Sequence, residues 1–77
     1  MKENELLYQL GQKIKKLRKE RKWTLREFEA YTNIDHSDLS KMESGYISPQ
    51  ILTLYKISQA FGITLSQLVD IEEHPNN

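Results

Sequence analysis

The chain has no cysteine, and among its 77 residues are only two prolines, three glycines and two histidines. Without cysteine there is no disulfide framework and no thiolate metal site. His36 and His74 stand too far apart in sequence to match a metal-ligand spacing, so no metal is expected. No apolar run approaches the ~20 residues needed to span a bilayer. The polar opening from Met1 to Glu5 does not read as a secretory leader. A chain this short is expected to form one domain over 1–77, because two would each be too small to bury a core. The same economy leaves little room for a deep substrate pocket. There is no nucleophile–base pair, no paired carboxylates and no phosphate-cradling glycine loop, which argues against an enzyme. These absences together predict a soluble cytoplasmic protein with no cofactor, no membrane contact and no small-molecule substrate. Its work is expected on an outer surface.

Formal net charge is zero, but the charges are not mixed evenly. Lys13, Lys15, Lys16, Arg18, Lys19, Arg21, Lys22 and Arg26 are opposed within residues 13–26 by Glu20 alone, a local balance of +7. Residues 1–12 carry −1 and residues 27–77 carry −6. A charge dipole of this kind orients a molecule toward a polyanion even at zero net charge. A basic helix face that is merely solvated is the plain alternative.

Apolar spacing and capping residues divide the chain into five helices. Leu6, Leu7, Leu10, Ile14 and Leu17 recur at helical intervals, which predicts a first helix over roughly 4–22. Thr24 and Glu27 have the spacing of a capping box and open a second helix that stops near Asn33. Asp35 is placed to cap a third, with Asp38 in its first turn and Gly45 beyond its end. Ser48-Pro49 reads as a start signal for a fourth helix over roughly 50–61, burying Ile51, Leu54, Ile57 and Phe61 and closed by Gly62. A second capping box, Thr64 to Gln67, opens a fifth helix through about Ile71. The core is expected over 10–70, with 72–77 a flexible tail. No segment alternates with period two, so the class is all-α.

Helices two and three are separated by little more than Asn33, Ile34 and Asp35, so they must cross steeply, as in a helix-turn-helix. Ile34 is placed to plug that crossing. On the third helix Leu39 and Met42 point one way. At ~100° per residue, His36, Ser37, Ser40, Lys41 and Ser44 fall within an arc of roughly 140° on the other side. That face is small, polar and rich in hydrogen-bonding groups. It suits the major groove of duplex DNA, ~12 Å wide.

In these residues the chain resembles the Cro/C1-type helix-turn-helix family, also called the XRE family, of phage repressors and their bacterial relatives. The likeness covers roughly residues 10–70. It rests on Leu10-Gly11, Ile14, Leu17-Arg18, Thr24, Phe28, Ile34, the stretch Leu39 to Gly45, Pro49, Leu54, Ile57, Phe61-Gly62-Ile63 and Leu68. The resemblance implies a compact, five-helix, lambda-repressor-like fold and a double-stranded DNA partner. It implies base reading by His36, Ser37, Ser40 and Lys41, and phosphate contacts from Thr24, Arg26, Ser44, Gly45 and Tyr46, which set register rather than sequence. Arg18 and Glu43 match a family pair that ties helix one to the end of helix three, a structural role. Trp23, Phe28 and Tyr31 are expected in the core rather than as base-stacking platforms.

The chain also departs from the family pattern. Leu25 stands where many relatives carry a phosphate-clamping glutamine. Glu29 occupies a position that is usually small, where helices two and three approach, so it must lie at the rim or shift the crossing. Asn33 replaces the usual turn glycine. Asp35, Asp38 and Glu43 put negative charge on helix three, which is expected to lower nonspecific attraction to phosphate and offers a means of rejecting wrong sequences.

The leading expectation is therefore a sequence-specific regulator of transcription that acts as a homodimer on a palindromic operator. Pairing is expected through Tyr55, Leu65, Val69 and Ile71. The competing expectation is a protein-interaction or antitoxin-like module with weak DNA affinity, whose acidic C-terminal half docks a partner.

Overall fold

The computed structural model describes residues 2–72, and among them every regular element is helical. The expected tail at 73–77, with His74, lies outside the described residues. The elements are α1 (Glu3–Glu20), α2 (Leu25–Thr32), α3 (His36–Glu43), α4 (Ile51–Phe61) and α5 (Leu65–Leu68). They pack as α1 on α3, α2 on both α3 and α4, and α4 on α5.

Most boundaries follow from local hydrogen bonding. At Thr24 and again at Thr64 the full capping box is present, each hydroxyl accepting from the N–H three residues on. Asp35 caps α3 by accepting from the Ser37 N–H at 2.7 Å. Three helices end by the same device, in which one residue turns left-handed and the next donates back five residues. Gly45 (φ 78°) serves α3, where Tyr46 N donates to Lys41 O at 2.9 Å. Gly62 serves α4. At α1 the left-handed residue is Lys22 (φ 59°), with Trp23 N donating to Arg18 O at 3.3 Å. That turn consumes Arg21 and Lys22, so α1 stops at Glu20 rather than at the expected residue 22.

Helix α4 departs from expectation more clearly. Ser48 does not cap it and Pro49 is not its first residue; Gln50, with extended backbone (φ −71°, ψ 157°), precedes a helix that begins at Ile51. Proline forces the residue before it toward extended backbone. Here the extended stretch continues through Gln50, so the helix starts later. The first turn then overhangs the core, and Ile51, expected to be buried, is 62% exposed. Leu54, Ile57 and Phe61 are buried as their spacing requires. Helix α5 is only the single turn Leu65–Leu68, and the chain leaves helical geometry before Ile71.

Around Ile14, Phe28, Leu39, Ile57 and Leu68, all fully buried, the five elements share one core that Leu10, Met42, Leu54 and Phe61 complete. Trp23 packs against it, 6.0 Å from the Phe28 ring centre and stacked on Tyr31 at 4.3 Å. Tyr31 is not a core residue; it is 61% exposed and covers the outer face of the tryptophan.

Helix α1 reaches α3 closely because Gly11 carries no side chain. A Cβ there would collide with the carbonyl oxygens of Met42 and Glu43. The last turn of α3 is thereby pressed against the middle of α1. That contact fixes the direction in which α3 presents its other side.

Candidate nucleic-acid interface

Helix α3 is held from behind by apolar packing and by ion pairing. Leu39, Met42 and Glu43 are buried. Glu43 accepts from Arg18 Nε at 2.7 Å and from Nη2 at 3.0 Å, a bidentate pair with side-chain exposures of 5% and 10%. Arg18 Nη1 donates to the Trp23 carbonyl at 2.7 Å, and Gln12 donates to the Glu43 carbonyl at 3.3 Å. Each of the three guanidinium nitrogens donates inside the fold. Neither charge is free to meet a ligand.

The opposite side of α3 is open. Ser37, Lys41 and Ser44 are exposed, while His36 and Ser40 are half-buried. None of these packs into the chain's own core. Thr24 and Arg26 at the start of α2, and Tyr46 after α3, are exposed as well, with Gly45 half-buried between its neighbours. The Arg18–Glu43 pair is thus buried, and the residues expected to contact a ligand reach solvent.

The start of α3 is more occupied than its sequence suggests. Glu29, on α2, accepts from the His36 N–H at 3.1 Å and lies 2.8 Å from His36 Nδ1 through the same oxygen. The glutamate therefore sits at the rim of the α2–α3 crossing, 41% exposed, and uses its carboxylate as a bridge between the helices. Asp35 takes the Ser37 amide and, at 2.6 Å, the Ser37 hydroxyl. Those two donors hold the Asp35 carboxyl below its ordinary value of 3.8. With its first two N–H groups satisfied internally, α3 offers side chains rather than a bare helix terminus to a ligand.

Glu29, Asp35 and His36 also bring their ligand atoms within 4.8 Å of one another. Each contact in that group is accounted for by capping or by the α2–α3 bridge, without an ion. At the start of α2, Glu27 N is taken by Thr24 and Phe28 N by the Thr24 carbonyl. This leaves the Leu25 and Arg26 N–H groups as the open pair that a helix N-terminus turns toward an anion.

The basic stretch proves to be divided between two tasks. Besides Arg18, Lys13 donates to the carbonyls of Gln67 and Asp70 at 3.1 and 2.8 Å, capping the end of α5. Arg21 donates to the Leu17 and Phe61 carbonyls and lies 4.6 Å over the Phe61 ring. These three cations stabilise helix ends and the core edge. Lys15, Lys16, Lys19, Lys22 and Arg26 form no ion pair among the described residues and carry the remaining positive field. Position in a basic run could not have separated the two sets. Spacing offers one hint, since Arg18 lies four residues after the buried Ile14, on the helix's inner side.

Comparison with known proteins agrees with this geometry. Residues 14–68 match the helix-turn-helix family. The chain is 40% identical over 72 residues to the control protein C.MunI of a Mycoplasma species, covering 91% of this chain and 97% of that one. It is 36% identical over 63 residues to the immunity repressor of Bacillus phage phi105, covering 82% of this chain and 44% of the repressor. Among solved structures, a helix-turn-helix transcriptional regulator from Vibrio cholerae superposes with a TM-score of 0.81 at 28% identity, over 87% of this chain and 38% of that one.

Proposed function

The chain belongs to the Cro/C1-type (XRE) helix-turn-helix family, and from that premise we propose that it is a sequence-specific regulator of transcription. In this reading the chain lays α3 in the major groove of duplex DNA. Its family and relatives are DNA-binding regulators of transcription, not enzymes. Among the described residues no helix is long and apolar enough to cross a membrane.

The observation that carries the reading is the two-sidedness of α3. One side is fixed by Leu39, Met42 and the Arg18–Glu43 pair, and the other offers His36, Ser37, Ser40 and Lys41 to solvent. In this proposal Lys41 donates to guanine O6 and N7, Ser40 donates to or accepts from a base edge, Ser37 accepts through the hydroxyl oxygen whose hydrogen goes to Asp35, and His36 meets a group that its protonation selects. Arg26, Thr24 and the α2 N-terminus take one phosphate region. Ser44, Gly45 and Tyr46 take another.

A second copy completes the reader, because one such module touches too few base pairs for genomic specificity. An apolar surface of the right kind is present. Ile51, Leu52 and Tyr55 on α4 are 62%, 70% and 49% exposed, and Val69 is 41% exposed. Beside them runs a groove of about 490 Å³ lined by Leu6, Leu10, Pro49, Leu54, Val69 and Ile71. Burying these on a partner supports a two-fold dimer whose two α3 helices meet half-sites about one helical turn apart, ~34 Å. Ile51 and Leu52 join the Tyr55, Leu65, Val69 and Ile71 expected from sequence.

Selecting bound fragments from random duplex DNA tests the proposal. A palindromic consensus, together with a sedimentation mass of twice the chain, is the expected result. Recovery of no enriched sequence at low salt would contradict it.

A further inference from the structure

Glu29 belongs to the chain's departures from its family, and its two bonds have a consequence for what α3 can read. An ionised carboxylate only accepts hydrogen bonds. At 2.8 Å from Glu29 Oε1, His36 Nδ1 must therefore carry the hydrogen, since two lone pairs would repel at that distance. In a neutral imidazole the other nitrogen then bears a lone pair. That nitrogen, Nε2, has no hydrogen-bond partner among the described residues, and it is not buried without one. Asp35 Oδ1, 4.0 Å from Nδ1, adds negative charge on the same side of the ring and favours the same arrangement. The ring is held in place as well, because the same Glu29 oxygen also accepts the His36 backbone N–H at 3.1 Å.

We propose that Glu29 is a specificity-positioning residue, fixing His36 as the Nδ1–H tautomer so that Nε2 faces the groove as a hydrogen-bond acceptor. In the major groove the donors available to an acceptor are the exocyclic amino groups, N6 of adenine and N4 of cytosine. Guanine and thymine present O6 and O4 at the equivalent places and are rejected, lone pair against lone pair. His36 thus selects adenine or cytosine on the strand it faces. Lys41, a donor only, selects the opposite chemistry about a turn and a half further along α3. The inference rests on the docking of α3 proposed above, but the tautomer is a property of the free protein.

Two measurements test it. The first is a long-range proton–nitrogen NMR spectrum of His36 in the free protein at pH 8, with His74 assigned from a His74→Ala variant. The expected spectrum shows Nδ1 protonated and Nε2 bare, and Glu29→Ala releases the ring to its Nε2–H form. The second is duplex selection with the wild type, Glu29→Ala, Glu29→Gln and His36→Ala, each first shown by its melting curve to be folded. The wild type should favour an amino-bearing base at one position by roughly tenfold, the lower range of a well-made base contact. Glutamine keeps an oxygen that accepts from Nδ1–H, so Glu29→Gln should retain the preference. Glu29→Ala and His36→Ala should lose it, even though in Glu29→Ala the removal of a negative charge raises overall affinity.

A role of Glu29 through charge alone would move the glutamine and alanine variants together, and that outcome overturns the proposal. So does a wild-type spectrum with Nε2 protonated. Bound duplexes without an amino preference overturn this inference alone. Failure of every duplex to bind overturns it together with the docking it rests on, even where the spectrum shows the Nδ1–H ring.

Discussion

Cutting the tie between Arg18 and Glu43 should remove a large share of the domain's stability, although neither residue touches a ligand. In Glu43→Ala the guanidinium keeps its bond to the Trp23 carbonyl at 2.7 Å but loses both carboxylate bonds, at 2.7 and 3.0 Å, in a site where its side chain is 10% exposed. Stranding a buried charge costs about 3–5 kcal/mol. A 77-residue domain has a total stability of roughly 4–12 kcal/mol, at the usual value per residue. The melting temperature should accordingly fall by at least about 12 °C. Urea denaturation followed by the fluorescence of Trp23, the chain's one tryptophan, gives the free energy directly. The charge itself is not required for stability. An Arg18→Met, Glu43→Leu double variant, apolar at both positions, should recover most of the loss, because matched apolar replacement of a buried pair is commonly neutral or better. A Glu43→Ala protein that melts within about 3 °C of wild type would refute the reasoning, since it would mean that the pair is solvated and not buried.

Three further outcomes follow from the backbone. Lys22 holds a left-handed conformation (φ 59°) that costs an L-residue ~1–2 kcal/mol, so Lys22→Gly should raise stability by about 0.5–1 kcal/mol after glycine's extra chain entropy is set against it; thermal melting checks this. Gly11→Ala would drive a methyl into the Met42 and Glu43 carbonyls, and the forced separation of α1 and α3 should cost about 1–3 kcal/mol in a denaturation curve. Asp35 ionises more readily when folded than when unfolded, so its stabilising cap is present above pH 3.8 and is lost as pH falls through the lowered folded value. Asp35→Asn keeps a capping oxygen without the titration. Amide exchange in α3 should therefore change less between neutral and strongly acidic pH in the variant than in the wild type.

Much of this was legible in the sequence because helix ends are written in single residues. Thr24 with Glu27, Thr64 with Gln67, Asp35, Asn33, Gly45 and Gly62 each satisfy orphan backbone groups at the ends they mark. Where two local signals compete, the sequence alone does not say which prevails. Ser48-Pro49 carries both a capping hydroxyl and a pre-proline restriction, and the extended backbone prevailed through Gln50. Lys22 gave no warning that it would turn left-handed, for lysine has no preference for doing so. The candidate site was legible as far as helical phase reaches, which separates Leu39 and Met42 from Ser37, Ser40 and Lys41. Contacts between elements were not. The bridge from Glu29 to His36 and the caps supplied by Lys13 and Arg21 join residues on different helices, and no spacing along one helix encodes them.

The central claim is that the open side of α3 reads bases. It is tested most directly by comparing the Kd of wild type and Lys41→Ala on the selected operator and on duplexes altered one base pair at a time. The account predicts a loss of ~1–3 kcal/mol on the operator, and in the variant a loss of discrimination at one base pair in each half-site. Uniform weakening on every duplex, with the base preferences intact, would show that Lys41 meets only phosphate and would contradict the account.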